Sequence, residues 1–235
     1  MSLPVDQKSP FLLRLFRRPA VTASGGGGSV AVAKDSTAQM LEIVLIRPGS
    51  TDYDEAQRIQ GTLDIPLNEA GNTEMENLAA KLRDQGIEAV YAPPCQPAEA
   101  SGVAIADQLG VKFKRIDRMH NLDQGLWQGL CVEELKRKHP KVYRQWLQHP
   151  ETVRPPEGET LAEAGDRIRL VIMKMIKKHK SGRIALIVPE PLAGLLKQII
   201  SEGDLSEMWK ATKGHGDWEV LQVQPQFADF DAEAS

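Results

Sequence analysis

Short apolar runs alternate along this chain with segments whose apolar residues recur at helical spacing. The runs Leu41–Ile46, Ala89–Ala92 and Ile184–Val188 contain almost no polar residues, which is typical of parallel strands buried on both faces. Asn68 is a candidate N-cap for the helix that follows the first run. Thr160, with a glutamate three residues later, has the pattern of a capping box and predicts the start of a long helix.

Weaker patterns complete the alternation. A helix is predicted to end at Gly110, a third strand to cover Val111–Ile116, and a last strand to cover Val220–Val223. Two further helices are predicted near Val132–Lys138 and Val142–Gln148. Strands that alternate with helices predict an α/β fold, a three-layer α/β/α arrangement with a mostly parallel central sheet. Ligands in such sheets bind at the carboxyl ends of the strands.

The N-terminal part of the chain differs from the rest in charge and composition. Residues 1–40 carry a net charge of +3, whereas the remaining residues carry −6. The segment Phe11–Arg18 is apolar and basic, and the glycine-rich segment Ser24–Ser29 has the composition of a flexible linker. We expect either a disordered tail or a tethered motif that docks on a partner or an anionic membrane surface. The predicted folded domain is 41–223, followed by a C-terminal tail, 224–235.

Composition narrows the classes of partner. The net charge of −3 argues against a protein that binds the phosphate backbone of nucleic acids. No apolar run is long enough to predict a transmembrane segment. Cys95 and Cys131 cannot form a secreted disulfide framework, so a reducing, cytoplasmic location is expected. The five histidines show no metal-ligand spacing, and we expect neither a metal nor a cofactor.

Several ordered motifs resemble the histidine phosphatase superfamily, whose fold is phosphoglycerate-mutase-like. The family opens with Arg-His-Gly-x-Thr after its first strand, and this chain has Arg-Pro-Gly-Ser-Thr at 47–51. Further matching segments, over a resemblance that covers about residues 41–223, are Arg58–Gly61, Asp64–Gly71, Val90–Ala98, Asn121–Leu130, Pro155–Thr160 and Leu186–Pro191. The resemblance implies the fold of a phosphatase or phosphomutase. In that family, the phosphoryl group is transferred through a phosphohistidine intermediate.

The positions that carry the family's chemistry are replaced. Pro48 stands where the resemblance places the histidine nucleophile, and Glu190 stands where it places the second histidine. The second phosphate-binding arginine falls at Pro97, the general acid falls at Asn121, and an asparagine of the first motif falls at Asp54. Proline has no nucleophile, an amide delivers no proton, and a carboxylate repels a phosphate dianion. The resemblance therefore implies a protein without the family's catalysis, used as a binding or scaffolding module.

Other functions are compatible with the same residues. The chain could hydrolyse phosphomonoesters weakly or bind a phosphorylated ligand, or it could reuse the cleft for another reaction with Glu190 or Asp54 as base. A protein partner or a small molecule would serve as ligand. The candidate ligand-binding residues are Arg47, Arg58, Ser50, Thr51, Asp54 and Glu190.

Each candidate also has a structural interpretation. Arg47 could form an ion pair with Glu190 or Asp54 instead of binding an anion, and the hydroxyls of Ser50 and Thr51 could serve loop and cap hydrogen bonds. Cys95 is expected to be a packing thiol. His215 precedes the last strand and could reach the cleft.

Overall fold

The computed structural model describes residues 40–204, residue 208 and residues 214–223. The tail 224–235 and, except for Met40, the basic segment 1–40 lie outside the described residues, and so does the Phe11–Arg18 motif. The division of the chain into these parts therefore stays a prediction. The described residues form one α/β unit.

A single sheet of five strands forms the centre of the fold. In chain order the strands are β1 (Leu41–Ile46), β2 (Ile87–Ala92), β3 (Lys112–Arg115), β4 (Gly182–Ile187) and β5 (Trp218–Gln222). Their order across the sheet is β3-β2-β4-β1-β5, and only β5 is antiparallel to its neighbour. The prediction of a three-layer α/β fold with a mostly parallel sheet is confirmed.

The two edge strands differ in length from their predicted ranges. β3 is shorter than Val111–Ile116 because it pairs only with β2, over the four residues from Ala89 to Ala92. β5 begins two residues before Val220, because Trp218 and Glu219 extend the antiparallel pairing along β1. Of the central strands, β1 matches its apolar run at both ends, whereas β2 and β4 each begin two residues before theirs.

Helices cover both faces of the sheet. They are α1 (Asp52–Glu55), α2 (Glu69–Leu82), α3 (Ala98–Leu109), α4 (Val132–Lys138), α5 (Pro140–Gln148), α6 (Leu161–Lys178) and α7 (Leu192–Ser201). The predicted boundaries are confirmed at Asn68, which caps α2, at Gly110, which ends α3 in a left-handed conformation, and at Thr160, which forms a capping box with Glu163.

Alternating side chains of the central strands build two cores. On one face, Ile43 and Leu45 of β1 pack with the apolar sides of α6 and α7. On the other face, Val44 and Ile46 pack with α2 and α3. Because both faces of β1 are buried, the backbone of the residue that follows this strand is held in a fixed position.

The segment between β3 and α6 builds a small third cluster around Trp127, whose ring makes an edge contact with the ring of Trp146 at 5.9 Å between centroids. Ile59, in the loop after α1, packs in the same cluster, and its backbone N–H donates to the carbonyl of Leu130 at 2.9 Å. Within the described ranges, no helix combines the length and the apolar character needed to cross a bilayer.

Candidate functional site

The carboxyl ends of β1 and β4 bring two motif segments together. Ile46 is in register with Ile187, and the backbone N–H of Val188 donates to the carbonyl of Ile46 at 2.9 Å. The chain leaves β1 at Arg47 and leaves β4 toward Glu190. Parallel pairing of these neighbours thus places the two side chains at one edge of the sheet, where α/β proteins bind ligands.

Arg47 lies at the centre of this edge with only 1% of its surface exposed. Its Nε donates to Oε1 of Glu190 at 2.9 Å, and its Nη1 donates to Oε1 of Glu219 at 2.7 Å. The second terminal nitrogen, Nη2, is buried and has no hydrogen-bond partner among the described residues. The pairing with Glu190 is one of the two ion pairs expected from the sequence.

Glu219 was missed by the sequence analysis. It lies on β5 directly beside β1, in register with Leu45, and its second carboxylate oxygen accepts a hydrogen bond from Nζ of Lys197 at 2.7 Å. Burial by itself would raise the pKa of Glu219, but the hydrogen bonds from Lys197 and Arg47 outweigh burial, and the pKa lies below its ordinary value. Glu219 is therefore ionised and completes a chain of alternating charges.

Glu190 is held on both sides. Its Oε2 accepts from the backbone N–H of Gly194 in the first turn of α7 at 3.1 Å, which fixes the carboxylate at a helix N-terminus. Asn121 donates from Nδ2 to the backbone carbonyl of Glu190 at 2.8 Å and accepts from the N–H of Leu122 at 2.9 Å. The amide at the family's acid position thus has a structural partner at each end.

The first motif is packed tightly around Gly49. A Cβ at this position would lie 2.4 Å from the carbonyl oxygen of Gly71, so the loop and the start of α2 touch backbone to backbone. The N–H of Gly49 donates to Oγ of Ser101 at 3.1 Å. Pro48 precedes this contact and offers no nucleophile, and only its carbonyl makes a polar contact, with the N–H of Gly216 at 3.4 Å.

The remaining polar residues of the first motif serve local structure. Thr51 and Asp54 form a capping box at α1, with a distance of 2.6 Å between the hydroxyl and the carboxylate. Ser50 donates from Oγ to Glu74 at 2.8 Å. The expected alternative pairing of Arg47 with Asp54 does not form, because this carboxylate is used by the cap. Nε2 of His215 lies 3.5 Å from Oδ1 of Asp54, so the histidine does reach the motif.

The other two predicted positions lie apart from the Arg47 contacts. Arg58 is exposed and donates from Nη1 to the carbonyl of Gly129 at 2.7 Å, which joins the loop after α1 to the segment around Trp127. Pro97 is buried at the N-terminus of α3 and makes no side-chain cap. Neither residue joins Arg47 and Glu190 in a common hydrogen-bond network.

A further ion pair, between Arg167 and Glu159, supports the segment that contains Asn121. Nη2 of Arg167 on α6 lies 2.6 Å from Oε1 of Glu159, and the same guanidinium donates to the carbonyl of Arg118 at 2.8 Å and to that of Asn121 at 3.2 Å. Sequence reasoning did not single out this arginine. Its four donors act on backbone and on one carboxylate, so its role in this geometry is to position the segment.

The charges of the site cancel. Lys197, Glu219, Arg47 and Glu190 alternate in sign, so two cations face two carboxylates. Among the residues described, no group of three or more His, Cys, Asp or Glu side chains could hold a metal ion. The edge of the sheet therefore presents a neutral polar network with a single unpartnered donor, Nη2 of Arg47.

Cys95, between β2 and α3, is half-buried. Burial, together with the negative charges of Asp64 and Glu99, raises the pKa of its thiol to about 11. At neutral pH this thiol is protonated, which agrees with the expected packing role and excludes it as a nucleophile in the native state.

Comparisons with known proteins agree with this architecture. Phosphoserine phosphatase 1 of Hydrogenobacter thermophilus is 25% identical over 186 residues, which cover 79% of this chain and 88% of that protein. A mycobacterial glucosyl-3-phosphoglycerate phosphatase in complex with VO3 superposes with a TM-score of 0.74 at 21% identity, over 80% of this chain and 93% of that one.

A histidine-to-alanine mutant of phosphoserine phosphatase from Entamoeba histolytica, in complex with phosphoserine, superposes with a TM-score of 0.68 at 20% identity, over 77% of this chain and 90% of that one. At such low sequence identities, the similarity to these solved structures shows the fold alone. The family model described as histidine phosphatase superfamily (branch 1) matches residues 43–232. Because this match takes up most of the sequence, the chain belongs to the histidine phosphatase superfamily.

Proposed function

We propose that this protein is a catalytically inactive member of its superfamily that works as a binding or scaffolding module. One observation supports the proposal above the others: the guanidinium of Arg47, the cation at the carboxyl end of β1, already binds Glu190 and Glu219. Charge-assisted bonds of this kind are among the stronger hydrogen bonds in proteins. Two carboxylates of the chain itself therefore occupy Nε and Nη1, two of the three guanidinium nitrogens that could donate to a phosphate.

The electrostatics of the site also favour a protein that does not bind phosphate at Arg47. A phosphate dianion placed against Arg47 would lie close to two carboxylates, and Coulomb repulsion in a partly buried site is stronger than in water. Because Arg47 and Lys197 are balanced by Glu190 and Glu219, the network offers the dianion no net positive charge. A neutral or weakly polar ligand group suits this edge of the sheet better than a phosphate.

The residues at the family's catalytic positions give the second argument for an inactive protein. Pro48 offers no nucleophile, and the amide of Asn121 is committed to the backbone of Glu190 and Leu122. Loss of one acid-base or electrostatic group typically lowers a rate by roughly 10²–10⁴-fold, and loss of the nucleophile removes the covalent route. Neither carboxylate is placed as a free base, since Asp54 caps α1 and Glu190 is paired with Arg47.

Turnover assays test the proposal directly. We expect the purified protein to hydrolyse neither p-nitrophenyl phosphate nor phosphoserine above background, and to acquire no acid-labile phosphohistidine. The Arg47→Ala variant, prepared in parallel, identifies activity of a contaminant, because contaminating phosphatase is indifferent to this substitution. Turnover by the wild-type protein that disappears in the variant would overturn the proposal in favour of the phosphatase alternative.

A restored variant tests whether side chains alone closed the site. It combines Pro48→His, Pro97→Arg, Asn121→Glu and Glu190→His, and a second version adds Glu219→Gln, because Glu219 would otherwise still hold Arg47. We expect vanadate binding by calorimetry in the second version, with weaker or no binding in the first. A folded second version that binds no oxyanion would show that the cleft differs in its backbone as well.

The remaining parts of the proposal concern the chain around the domain. We propose a cytoplasmic protein in which the segment 1–40 is an appendage of the folded part 41–223, with Phe11–Arg18 as a docking motif for a partner or an anionic surface. Deletion of residues 1–38 tests this view. We expect the melting temperature to change by less than about 5 °C, and a larger loss would mean that the segment packs on the domain.

A further inference from the structure

A cluster of cationic side chains lies on the side of the sheet formed by β2 and β3, which β4 separates from β1 and Arg47. Tyr91 of β2 is 4% exposed, and its hydroxyl oxygen lies 2.8 Å from Nε2 of His179, the residue that ends α6. Lys114 of β3, in register with Tyr91, approaches the same hydroxyl at 3.5 Å. Nζ of Lys178 lies 5.3 Å from the centre of the Tyr91 ring. Three elements thus bring two ammonium groups and an imidazole to one phenol.

The two lysines of this cluster lack a carboxylate partner. Within the described part of the chain, neither Lys114 nor Lys178 forms a salt bridge, whereas Lys136, Lys138 and Lys197 each pair with a glutamate. Among these described residues, the positive charge at Tyr91 is therefore not neutralised by a direct ion pair. Lysines on an edge strand also protect it from pairing with another chain. Protection of the edge strand does not require Lys114 and the end of α6 to lie close to the same hydroxyl group, that of Tyr91.

The imidazole of His179 lies next to this positive charge. Burial, and then the charges of Lys178 and Lys114, lower its pKa, and Glu88 opposes them only in part. The imidazole is therefore neutral near pH 7.5, so that Nε2 can accept the hydrogen of the Tyr91 hydroxyl. Protonation would reverse this bond: Nε2–H would donate to the phenol oxygen, and the hydroxyl hydrogen would be released to face an incoming acceptor.

We propose that Lys114, Lys178 and the Tyr91–His179 pair form a binding site for a phosphomonoester group, separate from the family cleft. Two ammonium groups and a hydroxyl supply donors to the phosphate oxygens, and protonated His179 adds a third positive charge. The dianion favours the protonated form of His179, so bound phosphate should raise the pH at which this imidazole titrates. The group is either that of a small phosphorylated solute or the headgroup of a phosphatidate lipid, since both present the same dianion.

The site is tested by NMR titration with inorganic phosphate and glycerol phosphate at low ionic strength, following the imidazole signals of His179. We expect saturable shifts with a dissociation constant on the order of millimolar, because both lysines keep contact with water. We also expect the titration midpoint of His179 to rise in the presence of phosphate. The imidazole of His139 serves as an internal control. Flotation with vesicles that contain phosphatidate, compared with neutral vesicles, distinguishes the lipid source from the free solute.

Matched variants separate the site from general charge. Lys114→Gln with Lys178→Gln should weaken binding about tenfold or more, whereas Lys136→Gln with Lys138→Gln, which removes the same charge from α4, should weaken it less than about twofold. Tyr91→Phe keeps the ring and should abolish the coupling to His179. Equal loss in both double variants, or no shift at His179 and no vesicle binding, would overturn the proposal. Because Arg47 takes no part, this outcome leaves the proposal for the cleft untouched.

Discussion

Replacement of Arg47 by methionine tests whether the buried ion-pair network stabilises the fold. Methionine approximates the apolar stem of arginine, so the variant removes the cation and few packing contacts. Glu190 and Glu219 then face each other without the charge that separates them. Their side chains are 20% and 13% exposed, so solvent screens them only in part.

The expected loss of stability follows from what each carboxylate keeps. Removal of one partner from a buried ion pair costs about 3–5 kcal/mol. Glu219 keeps its bond to Lys197 and Glu190 keeps the N–H of Gly194, so the cost lies near the lower limit, at about 3 kcal/mol. With a urea m-value of about 2 kcal/mol/M, the unfolding midpoint should fall by about 1.5 M.

Equilibrium urea unfolding at pH 7, followed by tryptophan fluorescence and circular dichroism, measures this change. The control is Arg58→Met, because Arg58 is exposed and has a backbone carbonyl as its hydrogen-bond acceptor. A triple variant, Arg47→Met with Glu190→Gln and Glu219→Gln, should recover at least half of the lost stability, since it removes the unpaired charges. The reasoning fails if Arg47→Met unfolds at the same urea concentration as Arg58→Met.

Three further predictions concern single groups. The pKa of the Glu219 carboxyl is lowered in the folded state, so the ionised carboxylate stabilises the fold fully above pH 4.5, the ordinary pKa. This stabilisation is lost as the pH falls through the lower pKa of the folded protein. The difference in unfolding free energy between wild type and Glu219→Gln, measured by urea unfolding, should therefore shrink between pH 6 and pH 3. With a thiol pKa of about 11, Cys95 should react with iodoacetamide at pH 8 at least about tenfold more slowly in the native protein than in urea, as read by mass spectrometry, and equal rates would refute the burial argument. Thr160→Ala should lower the unfolding free energy by about 1 kcal/mol through loss of the capping box of α6, and thermal unfolding that is unchanged would contradict this role.

Much of the frame could be predicted from local patterns. The strands β1, β2 and β4 are buried on both faces and read as continuous apolar runs, and Asn68 and Thr160 mark helix starts because capping needs only residues close in sequence. The contact between Arg47 and Glu190 is one of the two ion pairs that the sequence left open, and the parallel pairing of β1 with β4 brings these two residues together. Local rules and the topology of parallel sheets are sufficient for these features.

Glu219 could not be found in this way. Its pairing with Arg47 joins residues 172 positions apart and depends on β5 returning antiparallel beside β1. No spacing in the sequence specifies that return, and β5 is an edge strand with mixed exposure and a weak pattern. For Asp54 the opposite holds: Thr51 and Asp54 have the same capping-box spacing as Thr160 and Glu163, and this local signal accounts for its carboxylate.

The position of β1 in the sheet has a consequence for synthesis of the chain. Glu42 on β1 is in register with Arg183 on β4, 141 positions later, and the other neighbour, β5, follows later still. At ribosomal rates of about 5–20 residues per second, β1 waits on the order of ten seconds for either neighbour. During this time a highly apolar strand has two open edges, the condition under which chains aggregate. Ribosome-associated chaperones should therefore bind nascent chains of this protein most strongly before β4 emerges.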